Sequence, residues 1–354
     1  MARDQGLDGL RAIAALCVLG SHVWLPGLGG GFIGVDIFFV LSGYLITRLL
    51  TEELAARNAI DVARFWLRRA ARLVPALLLV LAAIAILGPI VFPKANIAGE
   101  LAYTGLYVSN FTRIAWSQPV LMRHSWSLAI EMQYYLIWPF VLIALLRFGG
   151  RRATAIAIVA YVVLTLWRWF AFWQFGWVWA YFSFDSHSTG LLLGGVVALA
   201  KWQPQKFTVE WMSIPALVTL AFAAMVFPFY FEPSSTWGGT GVELAAAVVI
   251  VCVTNDSSAT RFLAWPPLVR IGLWSYALYL WHYPIAKYAR ENFDTPGALI
   301  FTLGLSIPLA ALSFELYEKR MTKLLRSYLR RGAEASPAKA ARLSSKVAPP
   351  KTAA

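Results

Sequence analysis

The chain has 354 residues, of which 59% are hydrophobic and only 14% charged. An ordinary soluble domain holds about 45–50% apolar and about 25% charged residues, so the composition excludes a soluble enzyme and points to repeated crossings of a lipid bilayer. The formal net charge of +13 would suit nucleic acid in a soluble protein, but most Lys and Arg fall between apolar runs or in the last 36 residues, so membrane orientation accounts for them and no nucleic-acid partner is expected. A span needs about 20 mostly apolar residues. Such runs occur at 8–26, 32–50, 73–93, 130–147, 153–173, 188–200, 211–231, 239–254, 271–289 and 298–317, which predicts an all-α polytopic membrane protein with ten crossings. The first run has no Ala-x-Ala site after it and reads as an uncleaved span. Cytoplasmic loops carry the excess of Lys and Arg. Arg48, Arg57, Arg64, Arg68, Arg69 and Arg72 therefore put the connection between the second and third spans inside. Arg147, Arg151, Arg152, Lys201, Lys206, Arg261 and Arg270 also fall inside if 97–111 is interfacial or re-entrant, and both termini are then cytoplasmic. The stretch 63–73 is amphipathic and basic and reads as a membrane-surface helix. A membrane domain over 1–320 and a basic, disordered cytoplasmic tail over 321–354 are expected, with no room for an appended soluble domain. Cys17 and Cys252 lie inside apolar runs and no metal-ligand spacing occurs, so no metal is expected.

Ionisable residues inside spans are costly and point to function. Arg11 and His22 are eleven residues apart in the first span. Eleven steps of 100° come within about 20° of three full turns, so the two side chains share one helix face, about 16 Å apart along the axis. Asp36 follows across a Gly-rich loop, at the start of the second span. At similar depth, its carboxylate can orient His22 and raise its basicity, or it can cap the second span.

The run Gly6-Leu7-Asp8-Gly9-Leu10-Arg11-Ala12 with His22 resembles the opening motif of the acyltransferase 3 family. Gly34 to Ile46, containing Asp36 and Leu41-Ser42-Gly43-Tyr44, is similar to its second motif, and Phe65 to Pro75 to its basic loop. Ser125-Trp126-Ser127-Leu128-Ala129-Ile130-Glu131 resembles its central motif, and Tyr279-Leu280-Trp281-His282-Tyr283-Pro284 its late motif. Met132 stands where many members carry a second acid after Glu131. The resemblance implies transfer of an acyl group, most often acetyl, from cytoplasmic acyl-CoA to a hydroxyl on a cell-surface or lipid-linked glycan. It implies a place in a bacterial inner membrane, and no metal.

That chemistry needs a base for the hydroxyl, positive charge for the CoA phosphates, and a polar wall for the acceptor. Of the four His, His22 is the best placed as base, with Asp36 as its partner and Glu131 as a further catalytic acid or the partner of an intramembrane Arg. Arg11, Arg68, Arg69 and Arg72 can take the phosphates, Arg68 and Arg72 sharing one helix face. Trp126, Ser127, His187 and His282 can contact the acceptor, and His124 shares a face with Glu131 if that stretch is helical. The same intramembrane residues also suit a transporter or glycan flippase, but the internal repeat expected of one is not found.

Overall fold

A computed structural model describes residues 4–228, 232–324 and 327. The described residues form helices and no strand. In chain order these are α1 (Gln5–His22), α2 (Gly34–Arg57), α3 (Val62–Val91), α4 (Ile97–Gly105), α5 (Ser109–Trp116), α6 (Ser125–Gly149), α7 (Ala153–Phe175), α8 (Trp177–Phe182), α9 (Phe184–His187), α10 (Thr189–Ala200), α11 (Lys206–Val226), α12 (Glu232–Ser235), α13 (Trp237–Thr254), α14 (Pro266–Asn292) and α15 (Thr295–Leu312). The expected tail over 321–354 lies almost wholly outside the described residues.

Local chemistry sets the boundaries that matter here. The Asp4 carboxylate accepts from the Gly6 and Leu7 amides and starts α1. Asp61 caps α3 in the same way through the Arg64 amide. No break separates the basic stretch from the apolar run that follows, so the predicted surface helix and third span are one 30-residue helix. Arg64, Arg68, Arg69 and Arg72 thus sit on the first turns of a long helix. The stretch 97–111 is two short helices, α4 and α5, broken near Tyr107, whose φ is +55°.

By length and composition, six stretches among the described residues are long and apolar enough to cross a membrane: Gly31–Arg57, Val62–Val91, Ser125–Phe175, Lys206–Val226, Trp237–Thr254 and Thr295–Leu324. The third contains both α6 and α7, joined at Gly150 with φ +48°. The predicted runs near α1, α10 and α14 fall outside this set. α10 has only 12 residues, about 18 Å of helix, against a hydrocarbon core of about 30 Å. α14 carries Arg270, His282, Lys287, Arg290 and Glu291. Apolar faces stay uncovered on α3 (Leu78, Ile86, Ile90), α7 (Val159, Val163, Phe170) and α11 (Ile214, Val218, Phe222), as lipid-facing helices require.

The interior is built by close helix approach. A Cβ on Gly43 would lie 1.8 Å from the Leu191 carbonyl oxygen, and one on Gly194 2.0 Å from that of Val40, so α2 and α10 meet backbone to backbone. A Cβ on Gly272 would lie 1.9 Å from the Asp8 carbonyl oxygen, which presses α14 onto α1.

Deep between α7, α10 and α13, the Arg168 guanidinium lies 2.7 Å from Glu243 Oε1, with both side chains buried. Thr189 Oγ1 and the Tyr161 phenol donate to the same carboxylate at 2.6 and 3.2 Å, and Arg168 Nη2 donates to Thr240 at 2.6 Å. Glu243→Ala leaves that guanidinium uncompensated. A loss of about 3–5 kcal/mol is expected, read as a lower unfolding temperature in detergent, whereas Glu243→Gln keeps one acceptor oxygen for Arg168 and Thr189 and loses less.

Candidate active site

Three of the four His meet where α1 ends. His22 Nδ1 lies 2.9 Å from His282 Nε2, and the two rings stack at 5.2 Å. His124, directly before α6, packs 5.1 Å from His282 and 5.2 Å from Tyr283. His282 and His124 are buried, while His22 is half-buried and open on one side. Neither ring nitrogen of His124 makes a hydrogen bond among the described residues, although the backbone of Tyr279 and Leu280 lies close to it. Its backbone is held from elsewhere. The buried Glu100 carboxylate on α4 accepts from the Val120, Leu121 and Met122 amides at 2.6, 3.0 and 2.9 Å, which clamps the turn leading into His124. Arg290 on α14 donates to the His22 carbonyl and lies 4.7 Å from the exposed Trp24 ring, so the end of α1 is fixed too.

A second cluster lies along the same face of α1. Arg11, Arg69 and Arg72 are near enough for their charges to interact. None of the three forms an ion pair or a hydrogen bond among the described residues, and Arg11 Nε is buried without a partner. The Arg69 guanidinium lies over the Phe65 and Tyr135 rings at 5.6 and 5.7 Å. Glu131 is close by but is held by hydroxyls, with Ser42 Oγ and the Tyr135 phenol both donating to its Oε1. Arg68 points away: its Nη2 is 2.7 Å from Glu53. Of the three basic-loop arginines expected to act together, Arg68 is engaged by Glu53 on α2, while Arg69 and Arg72 lie near Arg11.

A small cavity of about 40 Å³ runs from Arg11 past Ser42 and Glu131 to Ser127, Tyr276 and Tyr279, without reaching the three His rings. At its far end Ser127 Oγ and the Tyr279 phenol are 2.6 Å apart, and that phenol donates to the His124 carbonyl at 3.0 Å. Larger hollows of about 390 and 490 Å³ open at the far ends of α2 and α13, but they are open clefts that reach neither cluster.

The profile of the family's acyltransferase domain matches residues 4–315. The chain belongs to the acyltransferase 3 family. Among curated proteins it is 33% identical to YrhL of Bacillus subtilis (strain 168), over 92% of this chain and 56% of that protein. It is 34% identical to the O-acetyltransferase OatA of Staphylococcus aureus, over 88% of this chain and 55% of that one. It is 30% identical to the peptidoglycan O-acetyltransferase OatA of Listeria monocytogenes, over 90% and 55%. The chain thus spans a little over half the length of the relatives it matches. No solved structure matches it.

Within this acyltransferase 3 frame, two motif residues stand apart from both clusters. Asp36 does not reach His22; its Oδ1 lies 2.9 Å from His187 Nε2. The reason is the stripe it occupies. Asp36, Val40 and Gly43 are spaced i, i+4, i+7 on α2, and the backbone contacts at Val40 and Gly43 turn that stripe to α10. His187 directly precedes α10 and meets it. The other His187 nitrogen, Nδ1, donates to the Tyr181 carbonyl at 2.6 Å, so both ring nitrogens are engaged. Trp126 packs 5.1 Å from His187 and 4.8 Å from Tyr181, in this buried aromatic group and away from the cavity. The structure groups His22 with His282 and His124, groups Arg11, Arg69 and Arg72 with Glu131, places Ser127 and Tyr279 between the two groups, and holds Asp36, His187 and Trp126 in a separate network. Sequence reasoning gave no place to Tyr279, Ser42 or Arg290; the first two lie inside quoted motifs, where their hydroxyls were the available signal.

Proposed function

We propose that this chain transfers an acetyl group from acyl-CoA, taken from the cytoplasmic side, to a hydroxyl of a cell-wall glycan at the outer side of a bacterial inner membrane. The observation that carries the reading is the set of three arginines without an ion pair among the described residues, Arg11, Arg69 and Arg72, gathered on the face of α1 that ends at the half-buried His22, with a small cavity running from Arg11 to Ser127 and Tyr279 between them. Three cations with Glu131 as the nearby carboxylate leave an excess of positive charge in a low-dielectric setting, which favours an anionic ligand, and the CoA phosphates supply one. α1 places Arg11 and His22 about 16 Å apart, of the order of an extended pantetheine arm. The thioester then lies near His22, and an acceptor hydroxyl arriving from outside meets it there. His22 takes the hydroxyl proton as the oxygen attacks the thioester carbon. The carbon–sulfur bond breaks as the carbon–oxygen bond forms, and the leaving thiolate takes the proton back from His22. Glu131, with Ser42 and Tyr135, lines the path between. Only the acyl group crosses the membrane.

The acceptor is drawn from the relatives, one of which is named a peptidoglycan O-acetyltransferase. The reading assumes ten crossings over 1–320 with both termini cytoplasmic, the span at α10 being short and preceded by the broken α8 and α9. In that topology Arg11 and the start of α3 face inward and the His cluster outward. The test is release of free CoA thiol by vesicles carrying the protein. Thiol release from acetyl-CoA that rises on adding peptidoglycan fragments is the expected result. Uptake or flipping of a glycan with no thiol released would replace this reading with a transporter.

A further inference from the structure

His282 is engaged at both nitrogens. Its Nδ1 faces two carbonyl oxygens of its own helix, Tyr279 at 2.7 Å and Leu278 at 3.2 Å. A carbonyl oxygen only accepts, so Nδ1 carries the hydrogen. A neutral imidazole has one N–H, so His282 Nε2 is left with a lone pair. That lone pair lies 2.9 Å from His22 Nδ1, which must therefore be the donor. The single hydrogen of His22 is then on Nδ1, and Nε2 holds the free lone pair. His22 Nε2 makes no hydrogen bond among the described residues, and the ring is the half-open one of the three. No carboxylate touches either ring among the described residues, so nothing there holds a second proton. The charged and titratable groups facing His22 are His282, Tyr283 and Arg290 from α14, with His124 and Arg123 from the turn before α6.

We propose that His282 is the positioning residue that sets the tautomer of His22, so that a backbone carbonyl, His282 and His22 form a relay ending in a basic Nε2. This rests on the reading of His22 as the base. The relay does for His22 what the notional Asp36 partner would have done, but with a neutral acceptor anchored to a helix backbone. It also gives the tyrosine at 279 a second part, since its carbonyl ends the relay while its phenol holds the His124 carbonyl. In the reaction the proton moves from the acceptor hydroxyl to His22 Nε2 and on to the leaving thiolate. His22 Nδ1–H stays on His282 throughout, so the ring cannot turn its protonated edge to the substrate.

The test uses the full chain in lipid nanodiscs with nitrogen-labelled His, each of the four signals assigned by single substitution. Without substrates, His22 is expected as the Nδ1–H tautomer in the unsubstituted protein and as a mixture in His282→Leu. In the same variant kcat is expected to fall about tenfold or more, the size that one neutral hydrogen bond supplies, with both KM values within about twofold. His282→Gln, whose amide oxygen can accept from His22 Nδ1, should recover part of kcat and most of the tautomer signal. If His282→Leu does not fold, the unsubstituted spectrum and His282→Gln decide alone. An Nε2–H tautomer of His22 in the unsubstituted protein, or an unchanged kcat in folded His282→Leu, would overturn the relay. Activity surviving in His22→Ala would instead overturn the base assignment, so the two failures are told apart.

Discussion

His22→Ala is expected to stop glycan acetylation while the protein still inserts and binds its donor. General-base removal costs about 10²–10⁴-fold in rate, and no other side chain at the site is placed to replace it. His124 is buried behind His282, and His282 has its Nδ1 committed to its own helix. Loss of the ring should be tolerated structurally. His22 is half-buried, its neighbours Tyr283 and His282 sit on α14, and Arg290 grips its backbone carbonyl rather than its side chain. The measurement is acetate bound to peptidoglycan fragments, run beside binding of a non-hydrolysable acetyl-CoA analogue. Donor affinity should change by less than about twofold, because Arg11, beside Arg69 and Arg72, lies about 16 Å away along α1. Normal acetylation by the variant would mean that the His cluster is structural and that the chemistry occurs elsewhere.

How much of this was legible in the sequence differs from residue to residue. Arg11 and His22 were paired correctly on one face because both lie in a single helix, where 100° per residue fixes relative direction. Glu131 and Ser127 came from the central-motif resemblance, and both lie on α6. Relations between helices were not fixed that way. Asp36 and His22 flank a loop, and equal depth does not say which way a helix is rotated. That rotation is set by Gly43 and Gly194, which let α2 and α10 touch and so turn Asp36 to His187. The His22–His282 contact joins residues 260 positions apart and depends on α14 pressing onto α1 at Gly272. Arg168 and Glu243 sit in strongly apolar runs, in helices whose adjacency no local pattern encodes. Arg68 and Arg69 differ by one position, and only the place of Glu53 decided which of them faces Arg11.

Arg11→Ala combined with Arg69→Ala should raise the KM for acetyl-CoA by about 10²-fold or more. Each charge-assisted phosphate contact is worth roughly 1.5–3 kcal/mol, and each 1.4 kcal/mol is about tenfold in affinity. Lysine at both positions should restore only part of it, because the planar fork that meets two phosphate oxygens is lost. The sign of the stability change separates this role from a purely topological one. Arg168 is compensated by Glu243, so breaking that pair destabilises the fold. Arg11 and Arg69 have no such partner among the described residues, and Arg11 Nε is buried without an acceptor. Removing an uncompensated charge relieves a desolvation cost, so Arg11→Met or Arg69→Met should leave the unfolding temperature unchanged or raise it while donor binding falls. Arginines kept only to orient the chain would show no change in KM when replaced, because Arg68, Arg64 and Arg57 keep that loop basic. Adding CoA should then stabilise the unsubstituted protein more than the double variant, by the linkage between ligand occupancy and unfolding. Equal stabilisation of both by CoA would place the donor away from this arginine face.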